Sequence, residues 1–163
     1  MLDLGRPMHF EHLVEVNDLG NPAVADLTRE ELWFGLLYRA EDPAAFLPGL
    51  EECRIVERGD RRLLRELDFG ATTVRDRVTF EPLEWMCFEI EPAAGHAAGS
   101  LRISIEEPSP MALFLRFLYR TTLAEGAASD GVEVAEYVKS AYQDSDIETV
   151  RLIRRIAEQS RLQ

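Results

Sequence analysis

The chain has 163 residues and a formal net charge of −12, with 46% hydrophobic and 29% charged residues. That length suits one domain with a sizeable core, and the hydrophobic fraction lies outside the regime of disordered chains, where hydrophobicity is low and net charge high. The acidity is spread over both halves. A polyanionic surface repels phosphate backbones and anionic headgroups, which argues against nucleic acid or a membrane surface as the main partner.

Residues 1–7 show no pattern and precede a second methionine, Met8, so they are expected to form a loose extension to a single domain spanning 8–160. From Met8 the chain alternates. Phe10, His12, Val14 and Val16 share one face and His9, Glu11, Leu13 and Glu15 the other, which predicts a strand with one apolar side. After a turn-rich stretch, Thr28 stands three residues before Glu31 with Leu27 and Leu32 around it. This is the capping box and hydrophobic staple of a helix beginning at Thr28. Leu32, Trp33, Leu36 and Leu37 form its buried stripe, and Asp42-Pro43 ends it or starts a second short helix through Phe46.

From Leu50 to about Thr122 the period is two, broken at Gly59-Asp60, Gly70-Ala71, Glu81-Pro82, Pro92 to Gly95 and Pro108 to Pro110. Six strands in an antiparallel meander follow. A two-residue turn at Gly70-Ala71 sets Leu63 opposite Val78, Arg65 opposite Asp76 and Leu67 opposite Val74. One face then carries an ion pair set among apolar residues, while Glu66 and Arg75 lie on the other. In the preceding hairpin a three-residue loop, Arg58 to Asp60, is preferred because it avoids facing Arg54 with Arg65; it places Cys53 opposite Arg65 and Ile55 opposite Leu63. A loop of Pro108 to Pro110 pairs Ile105 with Leu113, Ile103 with Leu115, Leu101 with Phe117 and Gly99 with Tyr119. For strand 83–90 both Leu83/Trp85/Cys87 and Met86/Phe88/Ile90 are plausible inward sets.

Ala124–Asp130 reads as a loop. Asp130 with Glu133 forms another capping box, and Val134, Val138, Ala141, Tyr142, Thr149, Ile153 and Ile156 recur at helical spacing, predicting a long C-terminal amphipathic helix. Ser145 with Glu148 would make a further capping box, which leaves a kink near Ser145 open. A seven-stranded sheet and one long apolar helix bury each other by wrapping, and such a wrap leaves an interior pocket.

Arg65–Asp76 has two readings. It could anchor a ligand's oxygen inside the cavity, or it could be a self-satisfied pair that fixes strand register, which outweighs the first because buried pairs are often structural. His12 faces inward and could serve as acid or base, although a lone inward histidine is more often a hydrogen-bonded core residue. His9-x-x-His12 is rejected as a metal pair, because positions i and i+3 of a strand face opposite ways. Trp85, Phe117 and Tyr119 are core or pocket lining before they are anything catalytic. Cys53 and Cys87 are too few for a disulfide framework and lack metal-ligand spacing. With no signal or membrane-spanning segment, a cytoplasmic protein with reduced thiols is expected. No phosphate-binding glycine loop, dinucleotide fingerprint, nucleophile elbow or zinc-protease motif occurs, so no cofactor or metal is expected.

The stretch LTREELWFGLLYRAEDPAAFLPGLEEC (Leu27–Cys53), with LLRELDFG, VRDRV and AYQDSDIETVRLIRRIAE, resembles the AtaL-like family, formerly a domain of unknown function, within the START/Bet v 1-like superfamily of polyketide cyclases and lipid-transport proteins. The resemblance covers nearly the whole chain from Met8. It implies an α+β helix-grip fold: a curved seven-stranded antiparallel sheet on a long C-terminal helix, with two short helices after strand one and an internal hydrophobic cavity. It carries over no catalytic set. The matching positions Arg65, Asp76, Asp146 and Thr149 could as well be structural.

The first expectation is therefore a monomer or weak homodimer that binds a small hydrophobic or amphipathic ligand, lipid-like or polyketide-like. Arg65 and Asp76 would anchor it, and His12, Phe69, Trp85, Leu115, Phe117, Tyr119 and Tyr142 would line the cavity. The alternatives are a cyclase/dehydratase-type enzyme, with Asp76 or His12 as base and Arg65 stabilising an enolate, and a protein-interaction or co-chaperone-like module with a filled core.

Overall fold

The computed structural model describes residues 7–91, 99–122 and 131–162. Seven antiparallel strands form one curved sheet: β1 (Pro7–Glu15), β2 (Glu52–Gly59), β3 (Arg62–Asp68), β4 (Thr73–Glu81), β5 (Trp85–Ile90), β6 (Gly99–Glu106) and β7 (Phe114–Thr122). Their spatial order is β1-β7-β6-β5-β4-β3-β2, so the meander from β2 to β7 is closed by the first strand laid beside the last. Helix α1 (Arg29–Glu41) lies between β1 and β2, and helix α2 (Gly131–Arg161) ends the chain.

Helix α1 begins where the sequence places it. Thr28 accepts from the Glu31 amide and the Glu31 carboxylate accepts from the Thr28 amide, which satisfies two amides left without partners at a helix start. Leu27, Leu32, Leu36 and Ala40 are fully buried. The second of the two expected helices is a single 3-10 turn, Pro43–Ala45, because Asp42 caps nothing with its side chain and Pro48-Gly49 follows at once. The Ala124–Asp130 loop and its capping residue Asp130 lie outside the described residues, as do residues 1–6; Pro7 already belongs to β1. Helix α2 runs through Ser145 without interruption. Thr149 donates its hydroxyl to the Ser145 carbonyl instead of opening a new helix start there.

The hairpin β3–β4 has the expected register, with Leu63 opposite Val78, Arg65 opposite Asp76 and Leu67 opposite Val74. The Phe69 amide donates to Thr72 across the turn, where Gly70 holds φ +88°. Two other hairpins differ from expectation. In β2–β3 the turn is Asp60-Arg61, with Arg61 in the left-handed region, and a bulge between Ile55 and Glu57 leaves Ile55 opposite Arg65 and Cys53 opposite Leu67. In β6–β7 the loop is longer, because the Leu113 carbonyl accepts from Val16 and Asn17 at the end of β1 instead of pairing with Ile105. Ile105 therefore faces Leu115, Ile103 faces Phe117, Leu101 faces Tyr119 and Gly99 faces Thr121. The displacement is by two residues in β6–β7 and over Cys53–Ile55, which keeps those side chains on their expected faces, whereas past the bulge Arg58 comes to face Leu63 and Glu57 faces Leu64. In β5 the inward set is Met86 and Phe88, both buried, whereas Trp85 turns outward beneath the Arg102 guanidinium, 4.4 Å from its ring.

The core fills the concave side of the sheet. Val78, Met86, Ile103, Leu115 and Phe117 from the strands meet Leu32 and Leu36 of α1 and Val150, Ile153 and Ala157 of α2. Burying one such leucine or isoleucine contributes about 1.5–3 kcal/mol. The far end of α2 is tied down by arginines: Arg154 donates to the Ala25 and Val16 carbonyls, and Arg161 grips the Glu31 carboxylate and the Asp26 carbonyl.

Candidate functional site

Toward the other end of the wrap the core gives way to a cavity of about 290 Å³. Leu67, Phe69, Val74, Phe88 and Leu101 make its apolar wall; Arg39, Arg65, Asp76, Ser100, Tyr119 and Thr121 supply the polar atoms, and Tyr142 faces it from α2. Ile90 and Arg120, also on its lining, are solvent-exposed and mark its rim.

Arg65 and Asp76 face one another across β3–β4 and are 2% and 3% exposed. Arg65 donates from Nε to Asp76 Oδ1 at 2.8 Å and from Nη2 to Oδ2 at 2.5 Å, the fork geometry that suits a guanidinium and a carboxylate. Its Nη1 donates to the Ala40 carbonyl at 3.0 Å and reaches that of Arg39 at 3.5 Å. These carbonyls lie in the last turn of α1, where the helix dipole favours a cation. All three guanidinium nitrogens and both carboxylate oxygens are thus engaged, and the pair braces α1 against the sheet.

Arg39 is arranged differently. It is 6% exposed and its guanidinium lies over Phe88, 4.7 Å from the ring centroid, with that of Arg65 5.1 Å from the same centroid. Among the described residues its guanidinium donates no hydrogen bond and has no carboxylate in salt-bridge contact, and its Nε is buried without an acceptor. Burial lowers its pKa from the ordinary arginine value, against the pull of Tyr119, Asp146 and Asp76. An arginine so placed pays the desolvation of its charge without the usual compensation.

Behind the cavity wall is a third polar group. The Tyr119 hydroxyl donates to Asp146 Oδ1, and His12 Nε2 lies 2.6 Å from Asp146 Oδ2. His12 stacks against Phe117 and Tyr119, and Tyr119 stacks on Tyr142 with centroids 4.0 Å apart and planes within 3°. Burial pushes the Asp146 carboxyl up to about 7, although the Tyr119 hydrogen bond and the Arg39 charge pull it down. Burial and the Asp146 charge raise the Tyr119 phenol far above its usual range.

Of the residues singled out from the sequence, the fold brings Arg65, Asp76, Phe69, Tyr119 and Tyr142 to the cavity wall. His12 sits behind Tyr119 against Asp146. Leu115 and Phe117 are fully buried in the filled core, and Trp85 lies on the outer face of the sheet. Arg39 was not among them. Its signal was its place on the helical stripe of Leu32, Leu36 and Ala40, where a charged residue needs a reason. Burial raises both the Cys53 and Cys87 thiols, which argues against a reactive thiolate. The described residues contain no group of three or more His, Cys, Asp or Glu side chains arranged for a metal, and no described helix is long and apolar enough to cross a membrane.

A curved seven-stranded sheet gripping a C-terminal helix around a part-polar cavity defines the Bet v 1-like helix-grip class. The family model for acetylaranotin biosynthesis cluster protein L (AtaL) matches residues 14–160, and the chain belongs to that family. No curated protein matches its sequence. Among solved structures it is similar to the di-domain ARO/CYC StfQ from the steffimycin biosynthetic pathway, with a TM-score of 0.70 and 13% identity over 94% of this chain and 51% of that one. It is also similar to the Zhui aromatase/cyclase from Streptomyces sp. R1128, with a TM-score of 0.60 and 16% identity over 94% of each chain. Norcoclaurine synthase from Thalictrum flavum follows at 0.61 and 9%, over 90% of this chain and 86% of that one. The chain spans about half the length of the di-domain structures it matches. At these identities the likeness is one of fold.

Proposed function

We propose that this protein binds a small hydrophobic or amphipathic ligand, lipid-like or polyketide-like, in its internal cavity. The observation that carries the reading is the cavity itself: an apolar wall of Leu67, Phe69, Val74, Phe88 and Leu101 with a few polar side chains, Arg39, Arg65, Asp76, Tyr119 and Thr121 among them, set into the lining. Ligand sites are built this way, with the wall taking the body of the molecule and a few polar groups fixing its orientation. An open volume of about 290 Å³ also weighs against an interaction module with a filled core. The cyclase/dehydratase reading draws less support from the geometry. Both oxygens of Asp76 are held by Arg65, the Arg65 nitrogens are already engaged, and His12 stands behind Tyr119.

Native mass spectrometry of freshly purified protein, followed by extraction, tests the proposal. A small molecule released in stoichiometric amount on denaturation is the expected result. Val74→Phe, which narrows the cavity from its wall, should reduce what co-purifies. A bare chain that also takes up no hydrophobic compound in solution would overturn the reading.

A further inference from the structure

The cavity contains one charge that no described residue balances by a hydrogen bond or an ion pair. Arg65 is matched by Asp76 and by the end of α1, whereas the Arg39 guanidinium is buried, donates to no acceptor among the described residues, and touches the cavity. Its Cζ lies over the Phe88 ring, and the N–H edge of the guanidinium meets no acceptor among the described residues. That edge is the planar fork which accepts a carboxylate through two parallel hydrogen bonds, whereas a neutral carbonyl would use half of it. A protein gains nothing in stability from a buried arginine left this way, since such groups normally carry a partner. The volume of about 290 Å³ stands at the lower end of the ~300–1,000 Å³ typical of ligand sites, too small for a two-chain lipid and sufficient for one or two fused rings.

We propose that the ligand is a compact acid, a single carboxylate on an aromatic or otherwise apolar body, and that Arg39 receives the carboxylate while Phe69, Val74 and Leu101 enclose the body. This rests on the cavity-binding reading above and specifies the ligand's chemical class. Arg65 keeps its structural brace and is not the anchor. Arg120 at the rim adds a positive charge near the entrance, which favours the approach of an anion into an otherwise acidic protein.

Calorimetric titration with 1-naphthoate and with 1-naphthamide, its neutral amide of nearly the same shape, tests the assignment. The wild-type protein should bind the carboxylate at least about tenfold more tightly than the amide. In Arg39→Met that preference should vanish, with amide affinity kept within about threefold, and the ligand-free variant should melt at a higher temperature because an uncompensated charge has been removed. Arg39→Gln provides the same comparison should Arg39→Met not fold. Equal binding of the two compounds to the wild type, or a carboxylate preference that survives in either variant, overturns this proposal and leaves cavity binding standing. Binding of neither compound also overturns this proposal, while the cavity-binding reading stands or falls on the native mass spectrometry and uptake measurements above.

Discussion

Gly35 of α1 and Ile153 of α2 meet so closely that a Cβ on Gly35 would stand 2.4 Å from Ile153 Cγ2 and 2.8 Å from Cγ1. Alanine is the better helix former by about 1 kcal/mol, yet Gly35→Ala should destabilise the protein by about 1–3 kcal/mol, because overpacking between two helices outweighs propensity. Ile153→Ala should cost about 2–5 kcal/mol by leaving a cavity. In the double variant the two defects fill one another. Urea unfolding of all four proteins should give a double-variant loss well below the additive one, and strict additivity would show that the two positions do not touch.

Removing one member of the Arg65–Asp76 pair leaves the other buried and charged. Asp76→Ala should therefore cost about 3–5 kcal/mol. Arg65→Met combined with Asp76→Leu removes both charges and should recover most of that loss, with some remaining because the Arg39 and Ala40 carbonyls lose their donor. Denaturant midpoints of the single and double variants distinguish a structural brace from a ligand anchor.

The Asp146 carboxyl, at about 7 in the folded protein, stands well above its ordinary 3.8. Between about pH 4 and pH 7 the folded protein thus holds a proton that the unfolded chain has released. Its contribution to stability is full below pH 4, declines as pH rises and is gone above pH 7, with a slope of at most about 1.4 kcal/mol per pH unit for one proton. Asp146→Asn removes the titration while keeping an oxygen to accept from Tyr119, and its stability profile should be flatter across that window. Glu31, held at about 2 by Arg161, acts in the opposite sense, and its contribution is lost only as pH falls below 4.5. Melting temperatures of the wild type and Asp146→Asn measured from pH 4.5 to pH 8 therefore read Asp146 together with the His12 imidazole 2.6 Å from it, free of the Glu31 contribution, and an unchanged slope in Asp146→Asn would refute the assignment.

Asn17 is 2% exposed and its side chain donates to the carbonyls of Leu27 and Met111 while accepting from the Leu27 amide. It stitches the end of β1, the approach to α1 and the β6–β7 loop. Asn17→Ala leaves these buried backbone groups unpaired at about 1–3 kcal/mol for each group left bare. The expected result is a large drop in melting temperature with loss of amide-exchange protection at Leu27.

Much of this fold was legible from residue patterns, and the reasons for the rest are specific. Thr28 and Glu31 announce α1 by a local hydrogen-bond scheme, and the Gly70 turn fixes the register that unites Arg65 with Asp76. The two displaced hairpins depend on features that alternation does not encode: a bulge beside Val56, and left-handed backbone at Arg61 and Met111, residues that ordinarily avoid it. Strand β5 was ambiguous because Trp85 on its outer face is as apolar as Met86 and Phe88 within, and its covering cation Arg102 comes from another strand. The role of Arg39 is not legible in the sequence, because arginine on a helix reads as solvated; the cavity beside it makes its position unusual.

The sheet order has a consequence for how the chain is made. Among the described residues β1 pairs with β7 alone, so Phe10 waits for Tyr119 and Val14 for Leu115. A ribosome delivers β2 through β6 while β1, already emerged, has an apolar face and no neighbour. Such long-range pairing folds slowly and leaves strand edges exposed to aggregation. Truncation anywhere before residue 122 should strand that segment, whereas a β1 transplanted by circular permutation to follow β7 would turn the last, most distant pairing into a hairpin and quicken refolding.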